Sequence, residues 1–135
     1  MTLEKIKIIA FDLMRWHGLK DWRFEFQDGH AYESPHLAAC WPELKKITMD
    51  TNYALSKSEF CFPEDMTDEG IIDTILHEIA HAIAPIRMKD GTHHSSLQFH
   101  SRGKKLYHGP TWRFTAISIG CSHALDYPGD EEIPS

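Results

Sequence analysis

The chain has 135 residues, of which 41% are hydrophobic and 25% charged, and these are the proportions of one ordinary globular domain. Its net charge of -6 argues against a protein that coats nucleic acid. It has no apolar run near the roughly 20 residues that cross a bilayer and no pattern of a secretory signal. The cysteines form no CxxC pair, so neither a disulfide framework nor a zinc ribbon is expected, and a reducing cytoplasm is the simplest location.

The first half of the chain predicts one helix and three short strands. Apolar residues recur at three- and four-residue steps over residues 2–17, which predicts an amphipathic helix ended by Gly18. Trp22, Phe24 and Phe26 then alternate with polar residues, as in a half-buried strand. Residues 37–41 and 46–50 predict two further strands, and we expect the sheet to be small and antiparallel.

The second half predicts two helices separated by a long basic loop. Residues 51–66 have no sustained pattern, and a helix follows over about residues 69–84, capped by Thr67 or Asp68. Residues 86–107 again lack a period, and residues 86–113 contain six basic residues against one acid. Pro110 suits the first position of a last helix over about residues 110–119. We therefore expect a single α+β domain over residues 1–135, with a long basic loop at 86–107 and an acidic tail at 126–135.

Residues 77–81 read HEIAH, which is an HExxH motif. Residues four apart on a helix share one face, so His77 and His81 could bind a single metal ion. Glu78 lies about 100° further round the helix, where its carboxylate could take a proton from a water molecule activated by the metal. Five residues are too few to decide the matter, because HExxH also arises by chance in ordinary helices.

The rest of that helix favours the metal site. Its isoleucines and Leu76 cluster on the side opposite His77 and His81, so these two are not ordinary core residues. Glu78 is the only other charged residue between Thr74 and Ala84, which indicates a helix buried on most sides. Buried histidines need polar partners, and a metal ion is one.

A catalytic zinc ion needs a third protein ligand and an open position for water. The metzincin pattern would require glycine and histidine where this chain has Ala84 and Arg87, and no acid between Asp90 and Asp126 could act as a gluzincin ligand. The histidine candidates are His93, His94, His100, His108 and His123. We favour His108 because it immediately precedes Gly109-Pro110 at a predicted helix start, where an ordered element can fix its position.

Three motifs together resemble the SprT-like metalloproteases, which include the Spartan proteases and many small phage or bacterial members. They are TILHEIAHA at residues 74–82, HGPTW at 108–112 and IGC at 119–121, and the resemblance spans about residues 20–121. It implies a compact zincin-like domain, with zinc held by His77, His81 and His108 and with Glu78 as the general base. In many relatives the two ligand segments are closer than the 26 residues that separate His81 from His108 here.

The predicted activity is hydrolysis of peptide bonds by a zinc metalloprotease, in the cytoplasm or in the host cytoplasm if the chain is of phage origin. DNA-associated proteins are one expected substrate class, and weak DNA contact is expected through the basic loop (Arg87, Lys89, Arg102, Lys104 and Lys105). The same loop could equally be a solvated insertion. Two alternatives stay open: a zinc-stabilised protein-binding module without activity, and a zinc amidase with a non-peptide substrate.

Overall fold

The structure, a computed structural model, describes residues 1–28, 37–59, 61–83, 98–99, 105–106 and 110–125. Within these residues the fold is α+β, as expected. The helices are α1 (Leu3–Trp16), α2 (Thr51–Ala54), α3 (Asp68–Ile83) and α4 (Pro110–Ser118), and the strands are β1 (Arg23–Gln27), β2 (Ala38–Trp41), β3 (Lys46–Asp50), β4 (Gln98–Phe99) and β5 (Lys105–Leu106). No helix in these ranges is long and apolar enough to cross a membrane.

The N-terminal helix α1 forms where its apolar period predicts it. The Thr2 side chain accepts a hydrogen bond from the Lys5 N–H and so caps the first turn. Ile6, Ala10 and Met14, spaced four residues apart, are its buried residues. The chain then leaves the helix through Gly18, whose φ of +84° is a conformation that other residues adopt only with strain.

The three-stranded sheet is mixed, so the prediction of an antiparallel sheet is wrong. Its order is β1-β3-β2, with β2 antiparallel to β3 and β1 parallel to it. Ten residues separate Gln27 from Ala38, which is enough chain for β1 and β2 to lie on opposite sides of β3. A tight hairpin turn after β1 would instead have made β1 and β2 antiparallel neighbours.

Helix α3 lies at the centre of the fold and contributes to two groups of buried residues. One side packs against α1 and the sheet in the main core, which contains Ile6, Ala10, Met14, Phe24, Ile47, Met49, Ile71, Ile75 and Ile79. Another side packs against α4 and the turn after it in a smaller cluster of Leu76, Ala80, Trp112, Ala116, Cys121 and Ala124. The expectation that this helix is buried on most sides is confirmed for its C-terminal half.

Two segments without a readable pattern contain short elements. Residues 51–66 include α2, which begins where the Asp50 side chain accepts a hydrogen bond from the Tyr53 N–H, and a 3₁₀ turn at Pro63–Met66. The predicted loop at 86–107 includes β4 and β5, which pair antiparallel. Elements of two to four residues are too short to show a period, which is why the sequence did not reveal them. The other residues of that loop, and the tail at 126–135, lie outside the described residues.

Candidate metal centre

Helix α3 carries the HExxH motif and begins at a well-formed cap. Thr67, the residue before the helix, accepts a hydrogen bond from the Gly70 N–H at 3.1 Å. Asp68 and Glu69 follow in the first turn, where negative charge is favourable. The helix is 16 residues long and ends at Ile83, so the motif at residues 77–81 lies within its last two turns.

His77 and His81 lie one turn apart with their ring nitrogens close together. Their Nε2 atoms are 3.1 Å apart, so one can donate a hydrogen bond to the other or both can bind one ion. Two nitrogen ligands at about 2.0–2.1 Å from a tetrahedral zinc ion lie about 3.3 Å apart. The observed separation therefore fits a shared zinc ion with little rearrangement of either ring.

Glu78 completes a group of three possible metal-binding side chains. One nitrogen or oxygen atom from each of His77, Glu78 and His81 lies within 4.8 Å of the others. Glu78 is only 5% exposed, and its Oε2 accepts no hydrogen bond within the described part of the chain. Burial raises the pKa of this carboxyl group to about 8. Burial of a carboxylate oxygen that accepts no hydrogen bond is unfavourable, and a nearby cation would remove much of that penalty.

A cleft of about 610 Å³ runs along α3 and reaches the motif. Gly70, Thr74, His77 and Glu78 line it from the helix, and Leu37 contributes from the residue just before β2. The described lining also carries four further acids and no lysine or arginine; these acids are Glu64, Asp65, Glu69 and Asp73. Glu78 is thus buried but lies at the wall of a space large enough for part of a peptide.

No protein-family model, curated protein or solved structure matches the chain. The site geometry and the sequence motifs therefore carry the functional inference.

Two of the three predicted ligands and the predicted base come together in the structure. His77, Glu78 and His81 form one cluster on α3, as the helical spacing predicts. His108, the third predicted ligand, lies outside the described residues, as do its competitors His93, His94 and His100 and the side chain of His123. The cations of the basic loop also lie outside them, except that Lys105 is assigned to β5.

Trp112 is part of the site, although no role at the site was predicted for it. It is completely buried, and the centre of its indole ring lies 4.6 Å from that of His77 and 5.4 Å from that of His81. The only sequence signal was its place in the HGPTW motif, four residues after His108.

Hydrogen bonds also join the segment that follows α4 to helix α3, at a position one turn before His77. The Asp73 carboxylate accepts hydrogen bonds from the backbone N–H and the hydroxyl group of Ser122, and the Asp73 carbonyl accepts one from the Cys121 thiol. Arg113 of α4 donates to the carbonyls of the 3₁₀ turn Ser122–Leu125. These bonds fix where α4 lies along α3.

Tyr53 lies beside the cleft lining, but its hydroxyl group contacts none of the candidate metal ligands of α3 in the hydrogen bonds described for it. Its hydroxyl is within hydrogen-bonding distance of the Asp65 carbonyl (2.6 Å), the Gly70 carbonyl (3.2 Å) and the Thr74 hydroxyl (2.8 Å). Tyr53 itself is fully buried. These contacts hold the turn before α3 against the helix, so Tyr53 is a structural residue in this fold.

Proposed function

We propose that the chain is a zinc-dependent metallopeptidase of the SprT-like type, with His77, His81 and His108 as zinc ligands and Glu78 as the general base. The observation that carries the proposal is the pair of Nε2 atoms 3.1 Å apart beside a buried carboxylate at the wall of a cleft. The donor set of two imidazoles on one helical turn, with a third ligand from elsewhere, is one that catalytic zinc sites use.

A zinc ion bound there would supply a Lewis acid that polarises the scissile carbonyl and acidifies the attacking water. Glu78 accepts the proton from the attacking water and passes it to the amine that leaves. A general base must be ionised to accept a proton, and a zinc ion beside Glu78 would favour the ionised form against the burial that raises its pKa. The cleft along α3 would hold the substrate segment on either side of the bond that is cleaved.

The position of Glu78 supports an enzyme over a zinc-stabilised binding module. Within the described part of the chain the Oε2 atom of Glu78 has no hydrogen bond, so its burial reduces stability, and a purely structural ion has no use for such a carboxyl group. The SprT-like resemblance favours a peptide bond over another amide. The acidic cleft lining is unfavourable for phosphate groups, so any DNA contact would come through the basic loop and not through the cleft.

Metal analysis and cleavage assays with matched variants test the proposal. Wild type is expected to hold one zinc ion per chain, and His77→Ala, His81→Ala and His108→Ala are each expected to lower zinc content. Glu78→Gln is expected to keep zinc but lose roughly 10²–10⁴-fold in peptide cleavage. Glu4→Gln, which changes an exposed acid in the first turn of α1 away from the cleft lining, is the control and should cleave like wild type.

Each part of the proposal can fail separately. Full zinc content in His108→Ala would remove that residue from the ligand set, and His94 and His100 would be tested next. Wild-type cleavage by Glu78→Gln would show that Glu78 is not the base. A zinc-loaded wild type that hydrolyses no peptide bond would point to the binding module, unless a panel of non-peptide amides is hydrolysed.

A further inference from the structure

Trp112 contacts both candidate ligands of α3 with one indole ring. The ring centres of Trp112 and His77 are 4.6 Å apart with a 55° angle between the planes. The ring of His81 is stacked on the same indole at 5.4 Å and 25°. Both distances fall in the range of favourable aromatic pairs.

A hydrogen bond fixes the orientation of the indole. Its Nε1–H donates to the His77 backbone carbonyl at 3.3 Å. In an α-helix this carbonyl also accepts the N–H of the residue four positions later, and a carbonyl oxygen has a second lone pair for the indole. The bond attaches α4 to α3 at the residue that carries the first ligand, so the indole cannot turn away from the two imidazoles without losing it.

We infer that Trp112 is a positioning residue of the metal centre: its indole stack holds the rings of His77 and His81 in the orientation that binds zinc. This inference rests on the proposed zinc site. Free imidazoles sample several rotamers, and a ligand side chain that is already ordered loses less freedom when the ion binds. Contacts that orient ligands in this way typically contribute 10–100-fold to metal affinity.

A simpler role is filling space between α3 and α4, and stability alone cannot separate the two roles. Trp112 is 0% exposed and belongs to the cluster with Leu76 and Ala116, so its truncation reduces the free energy of unfolding in either case. Zinc affinity does separate them. As long as the metal-free protein stays folded, its zinc affinity is independent of the global free energy of unfolding.

The test compares Trp112→Leu and Trp112→Phe with wild type by competition against a chromogenic zinc chelator, alongside urea unfolding of each metal-free protein. Trp112→Leu removes the aromatic face and is expected to lower zinc affinity about 10–100-fold while the metal-free protein is folded. Trp112→Phe keeps an aromatic face and is expected to stay within about threefold of wild type. Trp16→Phe, at a residue that is 84% exposed, is the control and should leave zinc affinity unchanged.

Cobalt(II) provides a second measurement, which needs only the conservative variants. An ion bound at His77 and His81 would lie beside the indole, so cobalt is expected to quench tryptophan emission in wild type and in Trp16→Phe. Most of this quenching should be lost in Trp112→Phe.

The outcomes distinguish the inference from the function on which it rests. Zinc affinity within threefold of wild type in folded Trp112→Leu would overturn the positioning role and leave the zinc site intact. If Trp112→Leu does not fold, retention of the full cobalt quenching by Trp112→Phe would overturn it. Absence of zinc binding in wild type would contradict the proposed function itself.

Discussion

Replacing Glu78 with glutamine should stabilise the metal-free protein, and by an amount that depends on pH. Burial raises the pKa of Glu78 from an ordinary value of 4.5 to about 8. Between these values the unfolded chain ionises the carboxyl group while the folded chain keeps it protonated, so unfolding becomes easier as the pH rises. Glutamine has nearly the same shape and never ionises, so the free energy of unfolding of the variant does not fall with pH through this group.

The size of the effect follows from the width of that pH window. Each pH unit contributes about 1.4 kcal/mol, so the loss of unfolding free energy in wild type is about 3 kcal/mol at pH 7 and about 4 kcal/mol at pH 8, and it levels off near about 5 kcal/mol above that pH. The advantage of Glu78→Gln should accordingly shrink toward zero as the pH falls to about 4.5. Burial raises the pKa of the neighbouring Cys40 thiol, which therefore stays protonated throughout this window. His77 and His81 occur in both proteins, so their direct contribution to the free energy of unfolding cancels when wild type and Glu78→Gln are compared.

Urea unfolding of chelator-treated proteins at several pH values between 5 and 8 measures the difference. Glu69→Gln is the matched control, because it removes a carboxylate from the exposed first turn of the same helix. A difference between wild type and Glu78→Gln that stays constant across this range would refute the reasoning. With zinc bound, the difference in the free energy of unfolding between wild type and Glu78→Gln should become smaller, because a nearby cation favours the ionised carboxylate.

Three further predictions concern other parts of the molecule. Gly70→Ala should lower the free energy of unfolding by about 1–3 kcal/mol, because a Cβ atom there would lie 2.5 Å from the Asp65 carbonyl oxygen. Urea unfolding measures this change. A free energy of unfolding within about 0.5 kcal/mol of wild type, roughly the scatter of neutral surface changes, would contradict the close contact. Tyr53→Phe should lower the free energy of unfolding by about 1–2 kcal/mol, because it removes a buried hydroxyl and its hydrogen bonds. Peptide cleavage by the folded variant should stay at the wild-type rate. A cleavage rate at least tenfold lower would give Tyr53 a role in the reaction. Reversing the charges of Lys104 and Lys105 should weaken any DNA binding at low salt without changing zinc content, and equal DNA binding in gel-shift assays would leave the basic loop without an electrostatic role.

The helices could be predicted closely because their sequence patterns are long. The isoleucines of α3 repeat over more than three turns, and the observed Asp68–Ile83 differs from the predicted span by one residue at each end. The same pattern placed His77 and His81 on one face, since that placement depends only on helical spacing. A local period is therefore sufficient for both the motif helix and the core of the site.

The sheet order and the surroundings of the motif depend on contacts distant in sequence. Alternation in β1 shows which side chains face the core, but not which strand lies beside it, and so the parallel pairing of β1 with β3 was missed. Trp112 stacks on two histidines that are distant in sequence: it lies 35 positions after His77 and 31 positions after His81. No local period encodes such a contact. The cleft likewise depends on how Leu37 and Ala38, at the start of β2, approach α3.

The contact between α3 and α4 has a consequence for protein turnover. Apart from Leu76 and Trp112, the buried cluster between them consists of small side chains, namely Ala80, Ala116, Cys121 and Ala124, which bury little apolar area. Helix α4 is therefore expected to detach in a partial opening, with fast amide hydrogen exchange, while α1, the sheet and α3 remain folded. An ion shared between α3 and the proposed ligand His108, two residues before α4, would hold that opening closed. Zinc supply would then govern how long the C-terminal part of the chain survives cellular proteases, independently of any catalysis.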